Sequence, residues 1–152
     1  LAGVLYLDDL TVGDRFESEP YEMTEAAIIA FARDYDPQPF HVDPDAAQDT
    51  FFQGLAASGW HTAAITMRLM VQSVPFANGA IGAGGDLRWP EPTRPGDRLR
   101  LVTTIEDIIP NRSKPGRARV VALCQTLNQH DAIKQEFRPN LMAWKRGVDP
   151  AA

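Results

Sequence analysis

An α+β fold, with an antiparallel sheet wrapped around one long central helix, is predicted by three features of this 152-residue sequence. The first is "WHTAAITMRLMVQSV", residues 60–74, which holds neither proline nor glycine. It is apolar over much more than a narrow stripe, and such a helix is usually buried. The second is a change of period after residue 80, where long segments alternate polar and apolar residues as strands do. The third is the pair of breaks "PTRPGD" and "PNRSKPG" between those segments. Helices first and a strand meander after them make a layered α+β arrangement. A hydrophobic content of 44% supplies one ordinary core, so a single domain over 1–152 is expected.

The elements follow in order. "LYLDDLTVGDRFESEPYEMT" leads in, turns at Gly13-Asp14 and continues as a strand. "TEAAIIAFARDY" predicts a helix with Thr24 as N-cap and Ile28, Phe31 and Ala32 on one face. Ala27 stands where a capping box needs Glu or Gln, so only half of that motif is present. The helix should end before Pro37, because the residue preceding a proline disfavours the α region. "VDPDAAQDTFF" allows a short helix begun by Asp43-Pro44. The long helix comes next, and "GAIGAGGDLRW" reads as extended and glycine-rich. "DRLRLVTTIEDIIP", "GRARVVALCQTLNQ" and "AIKQEFRPNLMAWKR" predict three long strands. Residues 128–131 connect the last two as a hairpin. Pro139 marks the final strand as an edge or as the site of a bulge. A sheet with one face on the helix leaves its other face and edges to cover, and a homodimer covers them.

Several function classes fall away. A formal charge of -5 argues against a general nucleic-acid surface. No run of eighteen apolar residues exists, so no membrane span is expected. "LAGVLYLDD" lacks a basic region before an apolar one, so no signal peptide is predicted. Cys124 is the lone cysteine and reads as a small core hydrophobe; a cytoplasmic location fits. "GAGGD" lacks the strand–turn–helix context of a dinucleotide fingerprint. Twelve of the fifteen basic residues are arginines, clustered at 88–100 and 112–119. They serve either strand and loop solubility or a small phosphate-bearing ligand. Arg88 and Arg94 are the candidates for the second role.

Two segments carry candidate chemistry. "DYDPQPFHVD", residues 34–43, sets Asp36 and His41 five residues apart with Pro37 and Pro39 restricting the chain between them. A neutral histidine accepts a proton from water near neutral pH, and an aspartate positions the same water. From spacing alone the alternative stands beside it: Asp36 caps a turn and His41 satisfies backbone groups. "GLAASGWH", residues 54–61, puts Ser58 and Gly59 at the start of the long helix. Free N–H groups there can polarise a thioester carbonyl and steady an enolate. Equally, Ser58 is a simple N-cap and Gly59 gives room for packing. Trp60 and His61 adjoin this turn and are further candidates for substrate binding, while no metal site is expected from the histidine. His130 falls in a turn and should be exposed.

"FARDYDPQPFHVDPDAA", "FFQGLAASGWHTAAI" and "GGDLRWPEPTRPGDRLR" together resemble the MaoC-like dehydratases, the hot-dog-fold group that includes the R-specific enoyl-CoA hydratases. The family pattern of Asp, two residues, Pro, one residue, then His maps onto Asp36, Pro39 and His41. The resemblance implies a hot-dog sheet around a central helix, a dimer with sites at its interface, and no cofactor. It implies that Asp36 and His41 activate water for addition to a trans-2-enoyl-CoA or related thioester. The amide of Gly59, beside Ser58, would then hold the thioester oxygen. This chain departs from the pattern at Gln38, where Asn is usual, and at Ser58, where His is frequent. It departs again at Trp60 and His61, and at Met67, near which characterised hydratases carry a serine. On the same fold, thioester hydrolysis and non-catalytic acyl-thioester binding remain the alternatives.

Overall fold

The computed structural model describes residues 3–152. After a single 3₁₀ turn at Leu7–Asp9, two short strands, β1 (Arg15–Glu17) and β2 (Tyr21–Glu22), lead to helix α1 (Glu25–Tyr35). Thr24 caps α1, its hydroxyl accepting the Ala27 N–H at 3.1 Å. Ile28 and Ala32 face inward, and the helix stops at Asp36, ahead of Pro37. Two one-turn helices follow, α2 (Pro39–Val42) and α3 (Pro44–Ala47). The sequence predicts only the second. The first forms because Pro39 occupies the N1 position, where a missing N–H costs nothing. His41 therefore sits in a helical turn rather than in a loop.

The long helix α4 spans Gly59–Ser73 and is capped by Ser58. It is not buried all round, as its composition suggests. His61, Thr62, Ile65, Thr66, Leu69 and Met70 are buried, while Trp60, Met67 and Val71 are exposed. A single sheet layer covers only one side of the helix. The inner threonines are satisfied: Thr66 meets the Thr126 hydroxyl at 2.7 Å, and Thr62 donates to Thr93 at 2.9 Å.

Strands β3 (Ile81–Arg88), β4 (Arg98–Pro110), β5 (Arg117–Leu127) and β6 (Ile133–Trp144) complete an antiparallel sheet in the order β1-β4-β5-β6-β3, with β2 also on β4. The three long strands form the expected meander, joined at 128–131 by a turn in which Asp131 takes a positive φ of 61°. His130 is exposed there. Pro139 is not on an edge, because β6 lies between β5 and β3. The bulge alternative holds instead: Pro139 faces Gly85 beside a register shift in β3. A Cβ on Gly85 would come within 2.6 Å of the Arg138 carbonyl oxygen, so only glycine fits that approach. This is a hot-dog arrangement, with its core of Met23, Ile28, Met70, Leu99, Leu101, Ile105 and Val120 between helix and sheet. Cys124 lies in that core, and burial pushes its thiol up to about 12.

Candidate active site

The turn of α2 brings His41 against Asp36. His41 Nε2 stands 3.3 Å from Asp36 Oδ2. The other ring nitrogen, Nδ1, is 2.6 Å from the carbonyl oxygen of Ala56. A carbonyl only accepts, so Nδ1 carries the hydrogen, and in the neutral ring Nε2 presents a lone pair. Two acceptors, Nε2 and Oδ2, then face one another at a spacing that one water can bridge by donating both hydrogens. Such a water has its oxygen lone pairs turned outward, which is the orientation a nucleophile needs.

Asp36 is held ionised. Burial alone would raise its carboxyl pKa, but hydrogen bonding by Gln38 and Ser58, and the positive charge His41 carries when protonated, outweigh that and lower it. Gln38 Nε2 donates to Asp36 Oδ1 at 2.6 Å. The Ser58 hydroxyl also accepts the Trp60 N–H at 3.3 Å. Gln38 and Ser58, two of the departures from the family pattern, thus both favour the ionised form of one carboxylate.

The segment 52–57 acts as the backplate of the site. Ala56 N–H donates to the Phe40 carbonyl at 3.0 Å, reciprocating the bond that Ala56 receives from His41. Ala57 N–H donates to the Thr93 carbonyl at 2.8 Å. Arg94 fastens the same segment from behind: its guanidinium donates to the carbonyls of Phe52, Gly54 and Leu55 at 2.6–3.2 Å. Gly54, at φ 151°, lets the chain turn beside that guanidinium. The expectation that Arg94 receives a phosphate is therefore replaced by a structural role. Its planar fork matches three convergent carbonyls. Arg88 is exposed on β3 beside Asp86, and the structure does not bring it to the site.

The first turn of α4 leaves one donor free. Trp60 N–H is taken by the Ser58 hydroxyl, and those of His61 and Thr62 by the Ser58 carbonyl. Gly59 N–H has no acceptor among the described residues, as the first position of a helix predicts. Trp89 packs on Gly59 so closely that a Cβ there would lie 2.7 Å from the indole. The indole is itself held, Nε1 donating to Gln135 Oε1 at 2.9 Å. Room for packing and room for a ligand are thus both reasons for glycine at this position.

A cavity of about 480 Å³ opens in front of these groups. Its lining includes His41, Phe51, Phe52, Gly59, Thr62, the segment Trp89 to Thr93, and Lys134. Its size suits a small acyl group. Asp36 reaches it through His41, and Ser58 stands behind Gly59. Trp60 is largely exposed, packed edge-on against Trp89. His61 turns away: it is buried and stacked on Phe31 at 4.5 Å, and burial lowers its pKa. Among the described residues no group of three His, Cys, Asp or Glu side chains could hold a metal ion. Sequence reasoning missed Ala56, Trp89, Glu91 and Lys134 at this site. A backbone carbonyl has no sequence signature, and a lone lysine in a strand looks like a solvent-facing one.

The comparisons with known proteins identify the family. Residues 9–124 match the family described as MaoC like domain. The structure superposes on the MaoC-like dehydratase from Rhodospirillum rubrum with a TM-score of 0.93 and 52% identity, covering 95% of this chain and 99% of that one. The sequence is 31% identical over 128 residues to the uncharacterised protein YdeM of Bacillus subtilis, across 82% of this chain and 89% of the relative. It is 30% identical over 122 residues to the 3-hydroxybutyryl-CoA dehydratase of Methylorubrum extorquens, across 80% and 74%. The chain belongs to the MaoC-like family and, with it, to the hydratase/dehydratase class of lyases. No helix among the described residues is long and apolar enough to cross a membrane.

Proposed function

We propose that the protein catalyses reversible hydration of a trans-2-enoyl thioester, with Asp36 and His41 activating the water. The observation that carries this reading is the facing pair of acceptors, Nε2 and Oδ2, at 3.3 Å beside a cavity with a free helix-terminal amide. The water oxygen bonds to the β-carbon while one of its protons passes to His41 Nε2. The double-bond pair moves toward the α-carbon, and the resulting enolate oxygen accepts the Gly59 N–H. The Asp36–His41 pair then delivers one proton to the α-carbon, so one water is added and the dyad is restored. The ionised Asp36 stabilises the imidazolium formed in between. The dehydratase name of the Methylorubrum extorquens relative supports a coenzyme A thioester as the substrate class.

We also infer a homodimer. The outer edge of β3 is unpaired and exposed along nearly its whole length, and Met67 and Val71 leave apolar surface on α4. Such edges and faces are normally covered. Sedimentation of the purified protein should give twice the chain mass of 16.8 kDa.

The test of the chemistry is loss of the enoyl-thioester absorbance with crotonyl-CoA and a longer trans-2-enoyl-CoA. Asp36→Asn and His41→Ala should each lower kcat by at least about a hundredfold, the scale of general acid–base catalysis. Near-parental rates in both variants would sink the assignment. Release of free CoA with the double bond intact would move the protein to thioester hydrolysis.

A further inference from the structure

The cavity lining contains a charge that the hydration mechanism does not use. Lys134, on β6, lines the cavity, and its side chain is only 8% exposed. An ammonium has three hydrogens to place, and leaving a buried one without partners is costly. In the protein it makes one hydrogen bond, to Glu91 Oε2 at 3.1 Å. The second carboxylate nearby, Asp97, is 3.8 Å away, beyond hydrogen-bond reach. Asp97 is also committed elsewhere, accepting from the Arg94 amide at 2.8 Å and from Asn128 Nδ2 at 3.1 Å. Lys134 therefore has two carboxylates within ion-pair distance but only one hydrogen-bond acceptor for its three hydrogens.

Its one direct partner differs from Asp97 in kind. Glu91 is 56% exposed and stands between Pro90 and Pro92 on the cavity wall. A carboxylate in that position can rotate into water at little cost, because its own solvation is already largely retained. The lysine cannot follow it out. An incoming carboxylate could take the place of Glu91 without leaving the buried ammonium unpaired. The exchange is neutral in charge, and it replaces a flexible surface partner with one fixed by the substrate. Two other lining residues, Thr62 and Thr93, meet through their hydroxyls at 2.9 Å.

We propose that Lys134, with Glu91 as its displaceable counter-ion, selects enoyl thioesters whose acyl part ends in a second carboxylate. This rests on the hydration reading above and names the substrate class for the same site. Glutaconyl-CoA and trans-2-pentenoyl-CoA have acyl chains of the same carbon count and differ in that carboxylate. The parent should favour glutaconyl-CoA in kcat/KM by about tenfold or more, the worth of one charge-assisted hydrogen bond. Lys134→Met should bring that ratio to about one or below, whatever the absolute rate. Glu91→Gln, a change at an exposed side chain, should lower KM for glutaconyl-CoA because the competing carboxylate is gone. A parental ratio near one, or equal loss on both substrates in Lys134→Met with the ratio kept, would overturn the proposal.

The same carboxylate-binding chemistry could instead serve the phosphates of the carrier. N-acetylcysteamine thioesters of the two acids lack them. A preference that persists with these short carriers assigns Lys134 to the acyl carboxylate, and one that vanishes overturns the assignment. If the parent hydrates neither thioester, the hydration reading fails by itself. Calorimetric binding of the two CoA esters to the parent and to Lys134→Met still decides the selectivity: tighter binding of the dicarboxylate that depends on Lys134 supports it, and equal binding rejects it.

Discussion

Two parts of the cavity lining are built on opposite plans. Around Asp36 and His41, both ring and carboxylate have fixed partners inside the protein. His41 is tied to Ala56, Asp36 to Gln38, and the backplate to Arg94. Around Lys134 a buried ammonium makes its one hydrogen bond to an exposed carboxylate, with the buried Asp97 3.8 Å away. Groups that move protons gain from pre-organisation, because any reorientation adds to the barrier. Groups that recognise a substrate gain from a partner that can leave. The contrast separates the chemistry from the choice of substrate, and each part can be disturbed without the other.

The largest effect at the fixed part should come from Gly59→Ala. The new methyl would meet the Trp89 indole at 2.7 Å, and the indole cannot move without breaking its bond to Gln135. Either Trp89 swings into the cavity or the α4 terminus shifts, and in both cases the free amide leaves its position. A loss of about 3–4 kcal/mol of transition-state stabilisation is expected, read as a fall in kcat of two to three orders of magnitude. Adding Trp89→Ala should restore part of kcat if the clash is the cause. No recovery in the double variant would assign the damage to the helix terminus instead.

Next in size is Arg94→Met, which tests whether the catalytic part is held from behind. Three carbonyls lose a charged donor, so stability should fall by about 1.5–3 kcal/mol, measured as a lower urea midpoint at unchanged slope. Arg94→Lys should recover little, because a point charge cannot reach three carbonyls in one plane. A parental midpoint in both would mean that the segment holds itself.

How much of this was legible beforehand follows the same division. The fold could be read because its signals are local: the long apolar helix, the alternation of β4, β5 and β6, and the Thr24 and Ser58 caps. Asp36 and His41 stood out because two prolines confine them within six residues. The α2 turn was hidden because four residues carry no period. The exposed outer face of α4 was hidden because apolar composition does not say which neighbour covers it. Arg94 was misread because a guanidinium serves backbone carbonyls and phosphate equally well, and the three carbonyls lie some forty residues away. Lys134 and Glu91 are forty-three residues apart, and only the β6 register brings them together.

The smallest effect is expected from Gln38→Met, and it is the most specific to the dyad. Gln38 donates to the Asp36 oxygen that does not face His41, so its removal leaves the water-binding pair in place. What changes is the charge balance of the carboxylate. The hydrogen bond favours the ionised form and helps lower the pKa, so its loss moves the pKa upward. The acid limb of kcat/KM should shift to higher pH in the variant, with the plateau little changed. The linked stability has the opposite reach. Asp36, whose pKa is depressed in the fold, contributes stability above its unfolded value of about 3.9, lost as pH falls through the folded value. The variant should lose less stability than the parent on acidification across that window. A plateau that drops with no movement of the limb would mean that Gln38 positions the turn rather than the charge. The dyad would then owe its ionisation to Ser58 and His41 alone.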